Sequence, residues 1–353
     1  MKIKLLCVHI ILLLLVSCSG TCHLQELINI SEENGFTSPR FVEGKMIIKI
    51  DSVKIIRGDS LIEFNKRNKI PAEQKPSLFL YSSEIIDHTV QRNVRNYKYN
   101  LEPTETFIDE ENGNRICYWN LSDSLHDNFQ IIIEKRFRFT TYDYRPEIRA
   151  NIVKEMWHEI PEGIKEFYTK SEPFLEQTLD IVDKAKEITG EETNPILQAK
   201  VLFEWIRSSM KYVYPPEKRG AVEALRTCEG DCGQYSNLFI ALARSLGIPS
   251  RQQSGFNFHP DKLGYHVWSE IYLPEYGWIP VDATDDDGFL HLDNKRLIAS
   301  VGMNIPLKHS PDWATYQNSE VENGRTGFMQ LVTIVMSGIK ADISTERIIL
   351  KSE

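Results

Sequence analysis

The spacing of apolar residues over positions 129–140 predicts a β-strand with one buried face. Apolar and polar side chains alternate there, and the apolar face consists of Phe129, Ile131, Ile133, Phe137 and Phe139. Residues 42–56, 77–81 and 115–121 are further strand candidates, and turn-like sequences such as 111–114 separate them. We therefore predict a β-sandwich-like domain over residues 41–146, with its topology open.

The chain then changes to a helical period. Residues 173–188 and 196–210 carry helical patterns, and a third pattern covers 232–246. Its apolar stripe consists of Tyr235, Leu238, Phe239, Leu242, Ala243 and Leu246. Asp231 and Gln234 are placed to form a capping box at the start of this helix, and Gly247 is placed to end it. The apolar stretch 328–339 is expected to complete a sheet, so residues 147–353 are predicted to form a second domain and the chain to be α+β.

Cys232 occupies the first position of the predicted helix 232–246. Unpaired backbone N–H groups and the positive end of the helix dipole favour a thiolate at such a position. The neighbouring carboxylate of Asp231 opposes a second negative charge, and we expect the helix end and a nearby histidine to outweigh it. The alternative is a buried structural cysteine, although Gly230 and Gly233 on either side make this an unusual place to bury a side chain.

Residues 264–284 read as a β-hairpin that carries His266 on its first strand and Asp282 on its second. We predict that these two residues face each other, with Tyr272 opposite Tyr276 across a three-residue loop. The carboxylate would then orient the imidazole and stabilise its charged form, leaving the other ring nitrogen for a thiol. Pro280 cannot donate to a ladder, so a bulge or an edge position there would shift this register.

The segments around Cys232, His266 and Asp282 resemble the transglutaminase-like superfamily of cysteine enzymes, whose cores are related to papain-like proteases. The resemblance covers about residues 190–290 and rests on four stretches: 230–233 with its helix, 246–251, 266–268 and 278–284. It implies a core in which the cysteine helix packs on an antiparallel sheet, a Cys232–His266–Asp282 triad, and an acyl-thioester intermediate. Ala283 departs from the proline that many relatives carry.

The first residues predict export and lipid attachment. Lys2 and Lys4 precede an apolar run that is too short to span a bilayer, so residues 1–17 are interpreted as a signal peptide. The run ends in Leu15-Val16-Ser17-Cys18, which resembles a bacterial lipobox and makes Cys18 the expected lipidation site; the alternative is an ordinary secretory signal. Residues 18–40 are interpreted as a tether, and Ser19 favours the outer membrane, facing the periplasm.

Composition narrows the range of partners. The formal net charge of −9 argues against a nucleic-acid partner, which would require clustered positive charge. Of six cysteines, Cys7 lies in the predicted signal peptide and Cys18 is the expected lipid site, and the remaining four are too few for a disulfide scaffold in a chain of this size. A Cys228–Cys232 disulfide would block the thiol, and we favour instead a Cys228 that packs in the turn before the helix.

The sequence predicts neither a calcium site nor a zinc site. Residues 282–288 resemble a calcium loop, but alignment on Gly288 puts Ala283 and Asn294 at the first and last ligand positions, which favours a solvated acidic loop. A zinc site built from Cys228, Cys232, His259 and His266 lacks compact histidine spacing. No cofactor is expected.

These patterns together predict a lipid-anchored cysteine enzyme that acts on peptide or carboxamide bonds, more by hydrolysis than by cross-linking. Its expected partners are a peptide or protein substrate and, through Cys18, the membrane. The alternative is a non-catalytic lipoprotein that binds peptides or glycans. The second donor to a reacting oxyanion is not identified by the sequence.

Overall fold

The computed structural model describes residues 35–258, 263–314 and 324–353. The predicted signal peptide, Cys18 and His259 therefore lie outside the described residues. Within the described ranges, no helix combines the length and apolar character needed to cross a bilayer.

The N-terminal region consists of two antiparallel four-stranded sheets. Its first strands and one helix are β1 (Phe36–Ile55), α1 (Asp59–Arg67), β2 (Ser77–Ser83), β3 (Gln91–Tyr99), β4 (Glu105–Ile108), β5 (Arg115–Asn120) and β6 (Ile131–Tyr144). The sheet orders are β16-β1-β6-β3 and β15-β2-β5-β4, where β15 (Thr333–Ser337) and β16 (Ile339–Ser352) come from the far end of the sequence. Apolar residues of both sheets, such as Ile48, Leu80, Trp119 and Ile133, share one core, which is the predicted sandwich.

The last two strands of the chain lie in these N-terminal sheets. Strand β15 (Thr333–Ser337) pairs with β2, and β16 (Ile339–Ser352) pairs with β1 along most of its length. The stretch 328–339 was expected to complete a sheet, and the sheet that it joins belongs to the first predicted domain, not to residues 147–353. At the other end, residues 36–40 of the predicted tether belong to β1, where Phe36 pairs with Tyr144. The division of the chain at residue 146 stays a prediction.

The other α-helices lie between β6 and β15 in sequence. They are α2 (Ala150–Glu155), α3 (Glu162–Tyr168), α4 (Leu179–Thr189), α5 (Pro195–Ser209), α6 (Ala221–Thr227) and α7 (Cys232–Ser245), and the short parallel strands β7 (Lys211–Tyr212) and β8 (Glu229–Gly230) precede α7. Helices α5 and α7 occupy the ranges predicted for them to within one residue at each end. Almost every residue of α7 is buried, so it is the central helix of this unit.

Helix α7 packs on a third antiparallel sheet. Its strands are β9 (Ser250–Phe258), β10 (Leu263–Leu273), β11 (Gly277–Val281) and β12 (Arg296–Val301), in the order β11-β10-β9-β12. Strands β13 (Ile305–Pro306) and β14 (Arg325–Thr326) form a separate small pair. A cysteine helix on an antiparallel sheet, behind a β-rich N-terminal region, confirms the predicted α+β class.

The third sheet also packs against the N-terminal region. Phe137 and Phe139 of β6 share a buried cluster with Phe256 and Leu297 of β9 and β12. Gln91 adds polar contacts, since its side chain binds both the N–H and the carbonyl of Ile298, at 3.0 and 3.1 Å. The sheet that carries His266 therefore has helix α7 on one side and the sandwich on the other.

Candidate active site

Helix α7 presents Cys232 at its first position. Asp231 caps the helix, and its Oδ1 accepts a hydrogen bond from the Gln234 N–H at 3.2 Å. The reciprocal contact of the predicted capping box is replaced: the Gln234 side chain accepts from the Gly220 N–H at 2.8 Å and donates to the Lys218 carbonyl at 3.1 Å. The segment before α6 is thereby fixed beside the thiol, which itself remains partly exposed.

Arg219 pairs with the carboxylate that precedes the thiol. Its Nη1 and Nη2 donate to Oδ1 and Oδ2 of Asp231 at 3.0 and 2.8 Å, in the bidentate geometry that suits guanidinium and carboxylate. The charge of Asp231, which the sequence suggested would oppose a thiolate at Cys232, is thus balanced at short range. Nothing in the spacing of Arg219 marked it as this partner.

The hairpin that carries His266 and Asp282 has a different register from the predicted one. Tyr272 pairs with Trp278 and Leu273 with Gly277, so the three-residue loop is 274–276. Glu275 and Gly277 adopt positive φ angles of 69° and 75°, which fit a turn at these positions rather than one residue earlier. The predicted face-to-face pairing of His266 and Asp282 is therefore wrong. Each strand is shifted by one position, so both residues remain on one face, and Asp282 reaches His266 diagonally from just beyond β11.

The two side chains nevertheless form a short hydrogen bond. His266 Nε2 and Asp282 Oδ2 are 2.6 Å apart, and both residues are buried. The remaining oxygen of Asp282 accepts from the N–H and the hydroxyl of Thr284, at 3.1 and 2.6 Å. Because Nε2 is held by the carboxylate, Nδ1 is the ring nitrogen left for proton exchange with Cys232.

The electrostatics favour a charged imidazole. Burial disfavours the charge, but the carboxylate of Asp282, with a smaller contribution from Cys232, raises the pKa of His266 to about 9. Burial likewise disfavours the Asp282 anion, yet the facing His266, Arg296 and Thr284 hold the pKa of that carboxyl well below its usual range. The pair therefore stays ionised at neutral pH.

Cys232 opens into a cleft of about 260 Å³. Helix α7 contributes Gly233 and Asn237 beside the thiol, β9 contributes Gln252, and apolar side chains such as Phe174, Met303 and Phe328 complete the walls. Tyr212 also borders the cleft. Burial of its hydroxyl, with Cys232 and Asp231 nearby, raises the pKa of Tyr212 to about 12, so the hydroxyl keeps its proton beside the thiol.

A family model described as "Transglutaminase-like superfamily" matches residues 182–283, the stretch that contains Cys232, His266 and Asp282. This part of the chain belongs to the transglutaminase-like superfamily. An uncharacterized protein from Haemophilus influenzae is 28% identical over 145 residues, and one from Mycobacterium leprae is 30% identical over 95 residues. These matches cover 33% and 23% of this chain and only 39% and 32% of the two relatives.

The solved structures extend the likeness of fold beyond the transglutaminase-like domain. The crystal structure of a proposed cysteine protease from Cytophaga hutchinsonii superposes with a TM-score of 0.55 at 14% identity. The match covers 88% of this chain and 93% of the other, so the two proteins share the fold over most of their length.

Two side chains outside the matched transglutaminase-like stretch complete the site. Arg296 of β12 donates to Asp282 Oδ2 at 3.4 Å and to Asp293 at 3.0 Å. Gln330, just before β15, donates through Nε2 to the carbonyls of His266 and Gly255 at 3.0 and 3.1 Å. Neither residue is part of the sequence motifs, because Arg296 and Gln330 lie 14 and 48 residues beyond Asp282 and carry no local signature.

The side chains of Asp286 and Asp287 in the acidic loop after Asp282 are exposed, as expected of a solvated acidic loop, and the aspartates of this loop also pair with arginines. Arg145 binds Asp287, Arg207 binds Asp286, and Arg296 lies 3.5 Å from Asp285. Among the described residues, no group of three His, Cys, Asp or Glu side chains is arranged to hold a metal ion. Cys228, like Cys232, is a free thiol and donates to the Leu225 carbonyl at 3.6 Å.

Proposed function

We propose that this protein is a cysteine acyltransferase of the transglutaminase-like superfamily that acts on peptide or carboxamide bonds. One observation carries the proposal: a charged His266–Asp282 pair lies beside a helix-terminal thiol that opens into a cleft. A structural cysteine requires neither the pair nor the opening. In this proposal Cys232 is the nucleophile, His266 exchanges protons and Asp282 orients His266.

The chemistry follows from these positions. The Cys232 thiolate attacks the substrate carbonyl carbon, and the carbonyl π electrons move to oxygen. The backbone N–H of Cys232 and the Tyr212 hydroxyl are the donors that we assign to this oxyanion. Collapse of the intermediate breaks the C–N bond, and the leaving amine takes the His266 proton. Water or an amine then attacks the thioester and gives a proton to His266, and the thiolate is released.

Hydrolysis is the outcome that we favour over cross-linking. The thiol lies in a cleft that is open to solvent on one side, where water is far more concentrated than any amine. Among the described residues that line the cleft, the acidic side chain is Asp231, and its pairing with Arg219 leaves it poorly suited to hold the amine of a lysine.

The acyl-enzyme is tested by capture with hydroxylamine. Wild-type protein is incubated with a library of acetylated, amidated hexapeptides and hydroxylamine, and hydroxamates and free acids are identified by mass spectrometry. We expect both products with wild type and neither with Cys232→Ala, at an unchanged thermal midpoint. Turnover by a folded Cys232→Ala variant would contradict the mechanism, and peptide binding without turnover in wild type would favour a binding protein.

We also propose that the mature chain is an envelope lipoprotein attached through Cys18 and facing the periplasm from the outer membrane. The support is the basic start, the short apolar run and the Leu15-Val16-Ser17-Cys18 sequence. An alkyne analogue of palmitate should label wild type but not Cys18→Ser when each is expressed in a bacterium with a lipoprotein pathway. Equal labelling, or recovery of both proteins in the soluble periplasmic fraction, would contradict the proposal.

A further inference from the structure

Among the described side chains that line the cleft beside Cys232, one buried polar group lacks a hydrogen-bond partner. Asn237 is only 4% exposed, lines the cleft from helix α7, and its Oδ1 has no hydrogen-bond partner within the described part of the chain. The two other amide side chains that line the cleft are engaged: Gln252 donates to Ser254 at 2.9 Å, and Gln330 donates to two backbone carbonyls. Buried polar groups are nearly always paired, so an unpaired one beside a substrate cleft indicates a group that the substrate pairs.

Asn237 lines the same cleft as the thiol of Cys232. It lies four residues after Gly233, one helical turn further along the face of α7 that borders the cleft. Gly233 itself has no side chain between the thiol and this amide. A Cβ there would come within 3.1 Å of Arg219 Nη1 and 3.2 Å of Asp231 Oδ1, so a side chain at this position would press against the Arg219–Asp231 pair. A substrate group bound about one helical turn along α7 from the thiol would therefore lie beside Asn237.

The rest of the lining makes the cleft electrically neutral. Among the described lining residues other than the reacting thiol, the charged groups are Arg219 and Asp231, and they are bound to each other. Phe174, Met303 and Phe328 supply apolar walls. A charged substrate side chain would lose its hydration there without gaining a counter-ion, which is costly. A purely apolar side chain would leave the amide of Asn237 unpaired.

We propose that Asn237 is a specificity-determining residue that selects a substrate carrying an uncharged hydrogen-bonding side chain, a carboxamide or a hydroxyl, next to the reacting carbonyl. The inference rests on the proposed acyl transfer at Cys232 and defines which substrates that reaction accepts. The amide of Asn237 acts in recognition: it offers an acceptor to the substrate N–H or O–H, and the substrate side chain fills the apolar remainder of the cleft.

The test measures whether variants at Asn237 change the preferred substrate side chain, rather than whether they lose activity. The hexapeptide library with hydroxylamine capture gives the residues enriched at each position around the reacting carbonyl. For wild type we expect Asn, Gln, Ser and Thr to exceed Leu, Asp and Lys about tenfold or more at one position, as expected when a buried polar group is left unpaired. Asn237→Asp, which puts a carboxylate in a nearly identical volume, should move that preference to Lys and Arg. Asn237→Leu should move it to Leu and Met.

Asn257 supplies the matched control. It also has a buried Oδ1 without a partner in the described chain, but it lies outside the residues that line the cleft. Asn257→Asp and Asn257→Leu should keep the wild-type preference. If the Asn237 variants turn over substrate with the wild-type preference, the inference is wrong while the acyl transfer stands. If wild type turns over no peptide, the proposed function fails first.

A measurement on wild type alone covers the case in which the Asn237 variants do not fold. Three peptides that differ only in Asn, Leu or Asp at the selected position have the same number of side-chain heavy atoms there. We expect kcat/KM for the Asn peptide to exceed each of the others by about tenfold or more. Equal kcat/KM values for the three peptides would overturn the assignment of Asn237.

Discussion

The charge state of His266 decides when the proposed site can work. The imidazolium must protonate the leaving amine, and its pKa of about 9 means that it carries this proton at neutral pH and loses it as the pH rises through that value. The opposite transition, protonation of Asp282, lies well below the usual carboxyl range and does not limit the neutral region. Asp282 and Cys232 are the residues that raise the pKa of His266, so the pH dependence of turnover tests how these three side chains are arranged.

We expect kcat/KM to fall above about pH 9 in wild type, because the general acid is then deprotonated. Asp282→Asn removes the carboxylate that raises the pKa of His266, so the falling limb should move to lower pH and turnover at pH 7 should drop about 10³-fold or more. Thr284→Val is the control, since it removes one hydrogen bond to Asp282 and keeps the charge. In this variant kcat/KM should fall at the same pH as in wild type, and turnover should stay within about tenfold of wild type. A limb that is the same in all three proteins would contradict the role of Asp282.

The Arg219–Asp231 pair allows a second test beside the thiol. Arg219→Met leaves the carboxylate of Asp231 uncompensated next to Cys232, so iodoacetamide should alkylate Cys232 about tenfold more slowly at pH 6. Asp231→Asn in the same background removes that charge and keeps a side chain that caps helices well, so it should restore the rate. Peptide mass spectrometry distinguishes Cys232 from Cys228 and Cys117. A rate in Arg219→Met equal to that of wild type would show that the pair does not influence the thiol.

At the scale of the element, strand β9 places a glycine where the sheet leaves no room for a side chain. Gly255 pairs with His266 on one side and with Ile298 on the other, and a Cβ on Gly255 would lie 1.9 Å from the Leu297 carbonyl oxygen. The backbone of β9 and β12 would have to separate to admit it. Because Gln330 binds the carbonyls of both Gly255 and His266, a shift of β9 is passed to the strand that carries the imidazole.

Gly255→Ala should therefore lower the free energy of unfolding by about 1–3 kcal/mol and reduce turnover as well. Gly163→Ala is the control, since a Cβ at that helical glycine meets no atom within 4 Å and its stability should be unchanged or slightly higher. Urea unfolding followed by tryptophan fluorescence measures both. A Gly255→Ala protein as stable as wild type would show that β9 and β12 separate at little cost.

The elements also show how far the sequence could be interpreted. The helix that carries Cys232 could be predicted, since its apolar stripe, its N-cap Asp231 and its terminal Gly247 are all local signals. The position of the hairpin could be predicted, but the register of its two strands could not. The register follows from a loop with positive φ angles at Glu275 and Gly277, which the apolar pattern does not indicate. Arg219, Arg296 and Gln330 could not be predicted at all. Their contacts depend on how distant segments meet, and a single arginine or glutamine has many possible partners.

At the scale of the whole molecule, the sandwich and the transglutaminase-like unit depend on each other. The sandwich takes β15 and β16 from the end of the chain, and the third sheet buries Phe256 and Leu297 against Phe137 and Phe139 of β6. Removing either part exposes apolar surface on the other and leaves strand edges unpaired.

We therefore expect the described chain to unfold as one cooperative unit and the isolated fragment 147–353 not to fold. Circular dichroism and tryptophan fluorescence should give coincident thermal transitions for residues 35–353. The fragment should lack a cooperative transition, because β15 and β16 have lost β2 and β1 and the face formed by Phe256 and Leu297 is uncovered.

Fragment 147–332 separates these two causes, since it lacks the unpaired strands but keeps the uncovered face. If it also fails to fold, the sandwich stabilises the active-site sheet through the buried aromatic cluster; if it folds while 147–353 does not, the unpaired strands are the cause. A fragment 147–353 that unfolds cooperatively and alkylates Cys232 at the wild-type rate would show that the transglutaminase-like unit is independent. The geometry around Cys232 would then not depend on Phe137 and Phe139. The sandwich would contact β9 and β12 as one independently folded domain packed against another.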